Sequence, residues 1–100
     1  MPAVVRIGDP LSTGHGCTGS TTLAGAAQGS VFSNGILTSV VGAPTVAHPV
    51  PPDPPCAPHV ANLNAGSSTV FAEGIPVGRV GDSADAGAMT GGSPNVFAGG

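Results

Sequence analysis

The stretch GSSTVFAEGIPVGRVGD at residues 66–82 decides the fold of this chain. It contains the pair Val70-Phe71, and β-branched and aromatic residues favour strands. The turn pair Glu73-Gly74 follows, a weaker hairpin signal than Asn-Gly, and then an apolar run. This order predicts a β-hairpin whose second strand runs through Ile75 to Val80.

Two other stretches repeat this pattern. GSVFSNGI spans residues 29–36 and GSPNVFAGG spans residues 92–100. All three copies share a Gly-Ser pair, then Val-Phe, then a glycine turn. The first copy carries Asn34-Gly35, a strong hairpin signal. The third copy breaks off after its first strand, so the pattern leaves open how that hairpin is completed.

A second repeated element lies between these stretches. It reads Arg-Ile-Gly-Asp at 6–9 and Arg-Val-Gly-Asp at 79–82, and the copy at 40–43 has lost both the Arg and the Asp. We expect the Asp side chains to cap turns and the Arg side chains to pair with them or with backbone carbonyls. A polar, Gly- or Pro-rich loop follows each copy, at 10–20, 44–60 and 83–92.

Together these repeats predict an all-β domain, spanning residues 1–100, of three pseudo-threefold β-hairpin units. One such unit cannot bury its apolar face alone, whereas three stacked around an axis can. Helix signals are poor, since the only helix-friendly run, at 23–28, is interrupted by Gly25. The loops that follow the repeated elements are then expected at one end of the molecule.

The composition indicates a domain that needs a cross-link or a partner in addition to its hydrophobic core. Of 100 residues, 3% are aromatic and none is Trp or Tyr, while Gly and Pro number 17 and 11. A domain this short, with so few large apolar side chains, buries a limited core and usually requires a disulfide, a metal or a partner.

The charge content excludes several classes of function. The chain has no Lys and only Arg6 and Arg79 as cations, so it cannot neutralise a run of phosphates in nucleic acid or in a membrane surface. No signal-peptide pattern and no apolar run of about 20 residues is visible. We expect synthesis in the cytoplasm and, if the protein is exported, a route without a cleaved signal.

All the histidines and cysteines fall in the first two loops. The first loop holds His15 and Cys17, and the second holds His48, Cys56 and His59. Imidazole and thiolate are preferred ligands of tetrahedral zinc, and Cys-x-x-His is a good local chelate. At least three of these five residues are predicted to bind a metal, and because the third loop carries no His or Cys, the site is expected from two loops only.

Other interpretations of the same residues stay open. Cys17 and Cys56 can form a disulfide, the histidines can be ordinary polar loop residues, and the proline run at 49–55 can be a linker or a ligand for another domain. A catalytic zinc needs an open position and a nearby general base, and Asp53 is the only carboxylate within the ligand-bearing loops. A structural site is therefore favoured, and we expect no enzyme.

The combined motifs resemble the PAAR-repeat (proline-alanine-alanine-arginine) family. The resemblance rests on residues 66–82, 92–97, 6–9 and 15–17, and it covers nearly the whole chain. The motif that names the family appears here as Pro76-Val77-Gly78-Arg79. The resemblance implies a cone of three β-repeats on a trimeric β-helical needle, as in contractile phage tails and type VI secretion systems.

The resemblance also implies a metal site near the tip of the cone. Zinc, with iron as a possibility, would be held by His15, His48, His59 and one cysteine, Cys56 or alternatively Cys17. The implied function is a structural spike tip that sharpens the needle and pierces a target envelope, located at a virion tail tip or secreted through a type VI-like apparatus. The alternatives are an adaptor that loads a separate effector onto the needle and, third, a small zinc hydrolase that uses Asp53.

The surface that contacts the needle is expected at the end of the cone opposite its tip. One chain of this type would sit on each trimer, with no nucleic acid involved and the target membrane met only transiently. An apolar base should face the trimer, and the strand residues Val31, Val70 and Val96 or their neighbours are the candidates.

Overall fold

The computed structural model describes residues 2–15, 19–50 and 57–99. Within these ranges all regular structure is β, which confirms the all-β prediction, and no helix there is long and apolar enough to cross a membrane. The ten strands are short: β1 Pro10–Ser12, β2 Ser20–Thr22, β3 Phe32–Ser33, β4 Ile36–Leu37, β5 His48–Val50, β6 Ala57–His59, β7 Phe71–Ala72, β8 Ile75–Pro76, β9 Ser83–Ala84 and β10 Gly87–Ala88.

The strands pair in sequence order as five antiparallel two-stranded hairpins. The predicted hairpins at 29–37 and 66–76 are present as β3–β4 and β7–β8. Their turns have positive φ at both central residues, 57° and 76° at Asn34-Gly35 and 52° and 78° at Glu73-Gly74. These are the backbone angles of the turn that matches the twist of paired strands.

Strand β8 is shorter than predicted. It ends at Pro76 and does not run on to Val80. Val77 forms a bridge to Val40, and Arg79 forms a bridge to Val4. The residues that look like a continuation of the hairpin therefore pair with other parts of the chain, and this pairing joins the units to one another.

A closed backbone triangle links three distant segments. The N–H of Val5 donates to the carbonyl of Gly78 at 3.0 Å, that of Gly78 donates to Ser39 at 2.9 Å, and that of Ser39 donates to Val5 at 3.0 Å. A Cβ on Gly78 would lie 2.3 Å from Cδ2 of Leu63 and 2.8 Å from Cγ2 of Val5. Position 78 must therefore be glycine for the three segments to meet this closely.

The glycine of each Arg-x-Gly-Asp-like element occupies the same kind of turn. All three have φ between 89° and 97°, and each N–H donates to a core residue's carbonyl at 2.8 Å. This explains why the copy at 40–43 keeps its glycine after losing the charged residues. The donors are Gly8, Gly42 and Gly81, and the acceptors are Leu23, Leu63 and Met89, in that order.

The charged elements form the predicted pairs. The Arg6 Nε and Arg79 Nε atoms each lie 3.0 Å from Oδ2 of the Asp three residues on. The same Asp oxygens accept the backbone N–H of Arg6 and Arg79, at 2.8 and 2.9 Å. In the copy at 40–43, which lacks the Arg and the Asp, Val40 and Ala43 occupy those positions and are fully buried.

The N-terminal segment completes the third hairpin. Ala3 forms an antiparallel bridge with Phe97, the N–H of Val4 donates to Val96 at 2.9 Å, and that of Ala98 donates to Pro2 at 3.0 Å. The pairing of Ala3 with Phe97 corresponds to those of Leu37 with Phe32 and Pro76 with Phe71. The segments at 2–4 and 96–98 thus pair where each of the other two copies has a hairpin.

One part of the sequence alignment between copies is wrong. The Oγ of Ser67 accepts the N–H of Val70, three residues on, at 2.9 Å. In the first copy the residue three before Val31 is Gln28, whose Oε1 accepts the Val31 N–H at 2.8 Å. Gln28, and not Ser30, is therefore the counterpart of Ser67, because it makes the same contact with a longer side chain.

The core is divided into two small clusters of mostly short side chains. The larger contains Val5 of the backbone triangle, and the smaller contains Ala72 of β7 and the bridge partners Val40 and Val77. The first consists of Val5, Leu11, Leu23, Ala43, Leu63, Ala84 and Met89, and the second of Val4, Val40, Ala72, Val77 and Ala98.

Candidate metal centre

Four metal-ligating side chains converge where the loops meet. His48 begins β5 and His59 ends β6, and the two are direct partners in that hairpin. His15 lies in the loop after β1, and Asp85 lies in the turn between β9 and β10. This group could hold a metal ion, since all four ligand atoms lie within 4.8 Å of one another.

The four atoms approximate a tetrahedron. Oδ2 of Asp85 lies 2.7, 2.9 and 3.4 Å from the Nε2 atoms of His48, His15 and His59. The Nε2 atoms lie 2.8 Å apart for His48 and His59, 3.2 Å for His15 and His59, and 3.3 Å for His15 and His48. Bonds of 2.0–2.1 Å to a tetrahedral zinc place neighbouring ligand atoms about 3.3 Å apart. The cluster therefore has nearly the size that one small cation requires.

The orientation of His48 is set by the backbone. Its Nδ1 lies 2.8 Å from the carbonyl oxygen of Val46, which can only accept, so Nδ1 carries a hydrogen. In the neutral ring Nε2 then carries none and directs its lone pair at the cluster. Such a second hydrogen bond commonly fixes the tautomer of a metal-binding histidine.

The Asp85 carboxylate is held in its charged form. Burial by itself raises the pKa of Asp85, but the close contacts of its carboxylate with the His48 and His15 rings and the charges of His15 and His59 outweigh it. The pKa of Asp85 therefore lies below its ordinary value. The side chains of His48 and Asp85 are only 3% and 7% exposed, so the carboxylate must be compensated by a positive charge inside the cluster.

Protons alone satisfy this cluster poorly. A proton on one imidazole can bridge to Asp85, but protons on two or three rings would face one another across 2.8–3.3 Å. One divalent cation can instead accept all three nitrogen lone pairs and neutralise the carboxylate at once. The arrangement is therefore better suited to a metal ion than to protons.

The structure brings together the three histidines that the sequence singled out. The burial of His48 disagrees with an ordinary polar loop residue. Cys17, Cys56 and Asp53 lie outside the described residues, as does most of the proline run, so the cysteine ligand and the disulfide remain predictions.

Asp85 was not predicted, and the expectation that the site draws on two loops only was wrong for this cluster. The third loop carries no His or Cys, but carboxylates also bind zinc. The available signal was positional, because the third loop follows the same repeated element as the two loops that carry the histidines.

Three phenylalanines are exposed. Phe32 begins β3, Phe71 begins β7 and Phe97 pairs with Ala3, and the three residues are 58%, 53% and 50% exposed. Val31 and Val70, beside the first two, are also exposed.

Comparison of the chain with protein-family models and with curated proteins found no match.

Proposed function

We propose that this chain is a structural spike-tip protein that caps a trimeric β-helical needle and sharpens it for piercing a cell envelope. The observation that carries the proposal is the set of three exposed rings, Phe32, Phe71 and Phe97. Large apolar side chains exposed at matching positions mark a surface that a partner covers. The resemblance to PAAR-repeat proteins supports a needle of a contractile phage tail or a type VI secretion system as that partner.

The internal pairing supports a threefold match with the needle. The triangle of Val5, Ser39 and Gly78, and the repeated glycine turns, favour a pseudo-threefold repeat within one chain. A partner with true threefold symmetry can present the same surface to each unit, so one chain per trimer is the expected stoichiometry. Overall dimensions of 41 × 23 × 21 Å are consistent with a narrow, conical tip.

The metal in this proposal is structural, and zinc is the ion that the donor set and its size favour, with iron as the alternative. Four protein atoms already occupy the tetrahedral positions around the centre of the cluster. A four-coordinate ion there has no position left for a catalytic water. A structural role, in which the metal holds the loops together, is therefore favoured over catalysis of hydrolysis.

Binding to a purified trimeric β-helical needle protein of a contractile phage tail or a type VI secretion system tests the proposal. We expect a complex of one chain per trimer in native mass spectrometry. Phe71→Ser should weaken binding at least tenfold without changing the melting temperature by more than a few degrees, since the ring is exposed. Val60→Ser is the matched control, because Val60 is equally exposed but lies next to His59. Unchanged binding in Phe71→Ser, or equal weakening in Val60→Ser, would contradict the proposed needle-binding surface.

A further inference from the structure

We propose that Asp85 is the fourth ligand of the metal, so that a His₃Asp set joins all three loops and neither cysteine is needed. The carboxylate Oδ2 lies within 2.7–3.4 Å of all three histidine Nε2 atoms. This inference rests on the proposed function only in taking the metal to be structural. It departs from the His₃Cys site that the family resemblance implies.

The chemistry of the four atoms is the first argument. A thiolate ligand would have to displace Asp85 from the cluster or raise the coordination number to five. The displaced carboxylate would then remain buried beside the metal without a cation of its own, which is costly. With Asp85 as ligand, every donor atom of the described cluster is used and the tetrahedron is complete.

The backbone of the third loop holds Asp85 in place. Asp85 has a φ of 54°, the left-handed conformation that the two-residue turn between β9 and β10 uses and that Asp tolerates better than most residues. Its N–H donates to the carbonyl of Asn62 at 3.0 Å, and its own carbonyl accepts from Nδ2 of Asn64 at 2.9 Å. The backbone of Asp85 is therefore held from both sides.

Two glycines allow the first and third loops to touch. A Cβ on Gly87 would lie 2.1 Å from the carbonyl oxygen of Ser12, and a Cβ on Gly14 would lie 2.2 Å from that of Ala86. The N–H of Ala86 donates to Thr13 at 3.0 Å. Because the two backbones lie in direct contact, Asp85 can reach the same point as His15. This packing is independent of the side-chain distances and indicates the same site.

The consequence is a metal that closes the ring of units. His15 comes from the first loop, His48 and His59 come from the second, and Asp85 comes from the third. Without Asp85 the metal would join two units and leave the third attached through the backbone triangle and the paired chain ends. With Asp85 as a ligand, the metal joins all three units.

Cobalt substitution of the untagged full chain tests the ligand set directly. Tetrahedral Co(II) gives visible bands with either donor set, but a thiolate adds a sulfur-to-metal charge-transfer band in the near ultraviolet. We expect the visible bands without the charge-transfer band. A charge-transfer band that disappears in Cys56→Ser or Cys17→Ser would overturn the inference.

Variants supply the second measurement. A Cys17→Ser/Cys56→Ser double variant should keep one equivalent of Zn(II) with an affinity within about threefold of the parent chain. In that background Asp85→Asn should weaken Zn(II) binding at least tenfold, and Glu73→Gln, an exposed carboxylate that contacts Ser30 and Gly29, is the matched control. Loss of zinc in the double variant, or unchanged affinity in Asp85→Asn, would overturn the inference.

Asp85→Cys provides a test that does not depend on the folding of Asp85→Asn. Asp85→Cys in the cysteine-free background should create the charge-transfer band that the parent chain lacks, because a thiolate then occupies the fourth position. A folded, cobalt-loaded Asp85→Cys variant without that band would contradict the assignment.

These outcomes separate this inference from the proposed function. If a cysteine proves to be the ligand while one metal is still bound, only the role of Asp85 fails. If the parent chain binds no Zn(II) or Co(II), both the inference and the structural metal fail. Needle binding through the phenylalanines is measured separately.

Discussion

Nε2 of His48 lies 2.7 Å from Oδ2 of Asp85, although the two residues are 37 positions apart in the chain. The neutral imidazole and the carboxylate are both acceptors at these atoms, because the hydrogen of His48 is on Nδ1. Their approach therefore requires a cation between or beside them. This contact links the second loop to the third, and it makes the stability of the fold depend on the occupant of the cluster.

Removal of the metal should lower the melting temperature. With free zinc about 1,000-fold above the dissociation constant, binding stabilises the folded state by about 4 kcal/mol. For a domain of this length that corresponds to a shift of roughly 15 °C or more. Differential scanning fluorimetry with and without a chelator measures it, and a chelator should not affect a His15→Ala/His59→Ala variant. An unchanged melting temperature of the parent chain would contradict a structural metal.

As the pH falls, zinc should be released before the contribution of Asp85 to stability is lost. Protons compete with the metal for imidazole, whose ordinary pKa is about 6.5, so zinc should be released as the pH falls through and below this value. The pKa of Asp85 is lowered, so its contribution to stability is present above its unfolded-state value and is lost only as the pH falls through the folded-state pKa, below 3.8. A chromophoric zinc indicator and circular dichroism should therefore show metal loss first. Simultaneous loss below pH 3.8 would contradict this order.

Gly78→Ala should destabilise the fold without touching the cluster. The added Cβ would lie 2.3 Å from Leu63 and 2.8 Å from Val5, in the middle of the backbone triangle. Overpacking of this kind costs about 1–3 kcal/mol, which urea denaturation can resolve. Gly29→Ala is the control, since a Cβ at Gly29 meets nothing within 4 Å. Equal stabilities of the two variants would contradict the tight packing at the triangle.

Loss of residues 1–3 should open the third hairpin. The deletion removes the carbonyl of Pro2, which accepts the N–H of Ala98 at 3.0 Å, and the carbonyl of Ala3, which accepts the N–H of Val80 at 2.8 Å. Each net hydrogen bond is worth about 1 kcal/mol, so a loss of roughly 2 kcal/mol and faster amide exchange at Ala98 are expected. Hydrogen exchange by NMR measures both, and unchanged protection at Ala98 would show that the pairing of the chain ends is unimportant.

Local features could be predicted from the sequence because their partners are close in the chain. The Asn34-Gly35 and Glu73-Gly74 turns each depend on two adjacent backbone angles, so these two hairpins were evident from their residues. The prediction of loops at 10–20, 44–60 and 83–92 was wrong in part, because these stretches hold the hairpins β1–β2, β5–β6 and β9–β10. The Arg6–Asp9 and Arg79–Asp82 pairs join residues three apart. The concentration of histidines in two loops likewise indicated a metal before any fold was known.

Contacts between distant residues were decided only by the tertiary structure. The strand after Pro76 leaves its hairpin because the backbone groups of Gly78 find partners in Val5 and Ser39, which no local pattern reveals. The completion of the third hairpin by Ala3 depends on the meeting of the two chain ends. Asp85 lies beside the histidines because Gly14 and Gly87 let the backbones of the first and third loops come into direct contact. The sequence by itself thus determined the hairpins at 29–37 and 66–76 and indicated a metal-binding group of histidines. The pairing of distant segments and the position of Asp85 beside those histidines follow from packing across the described residues.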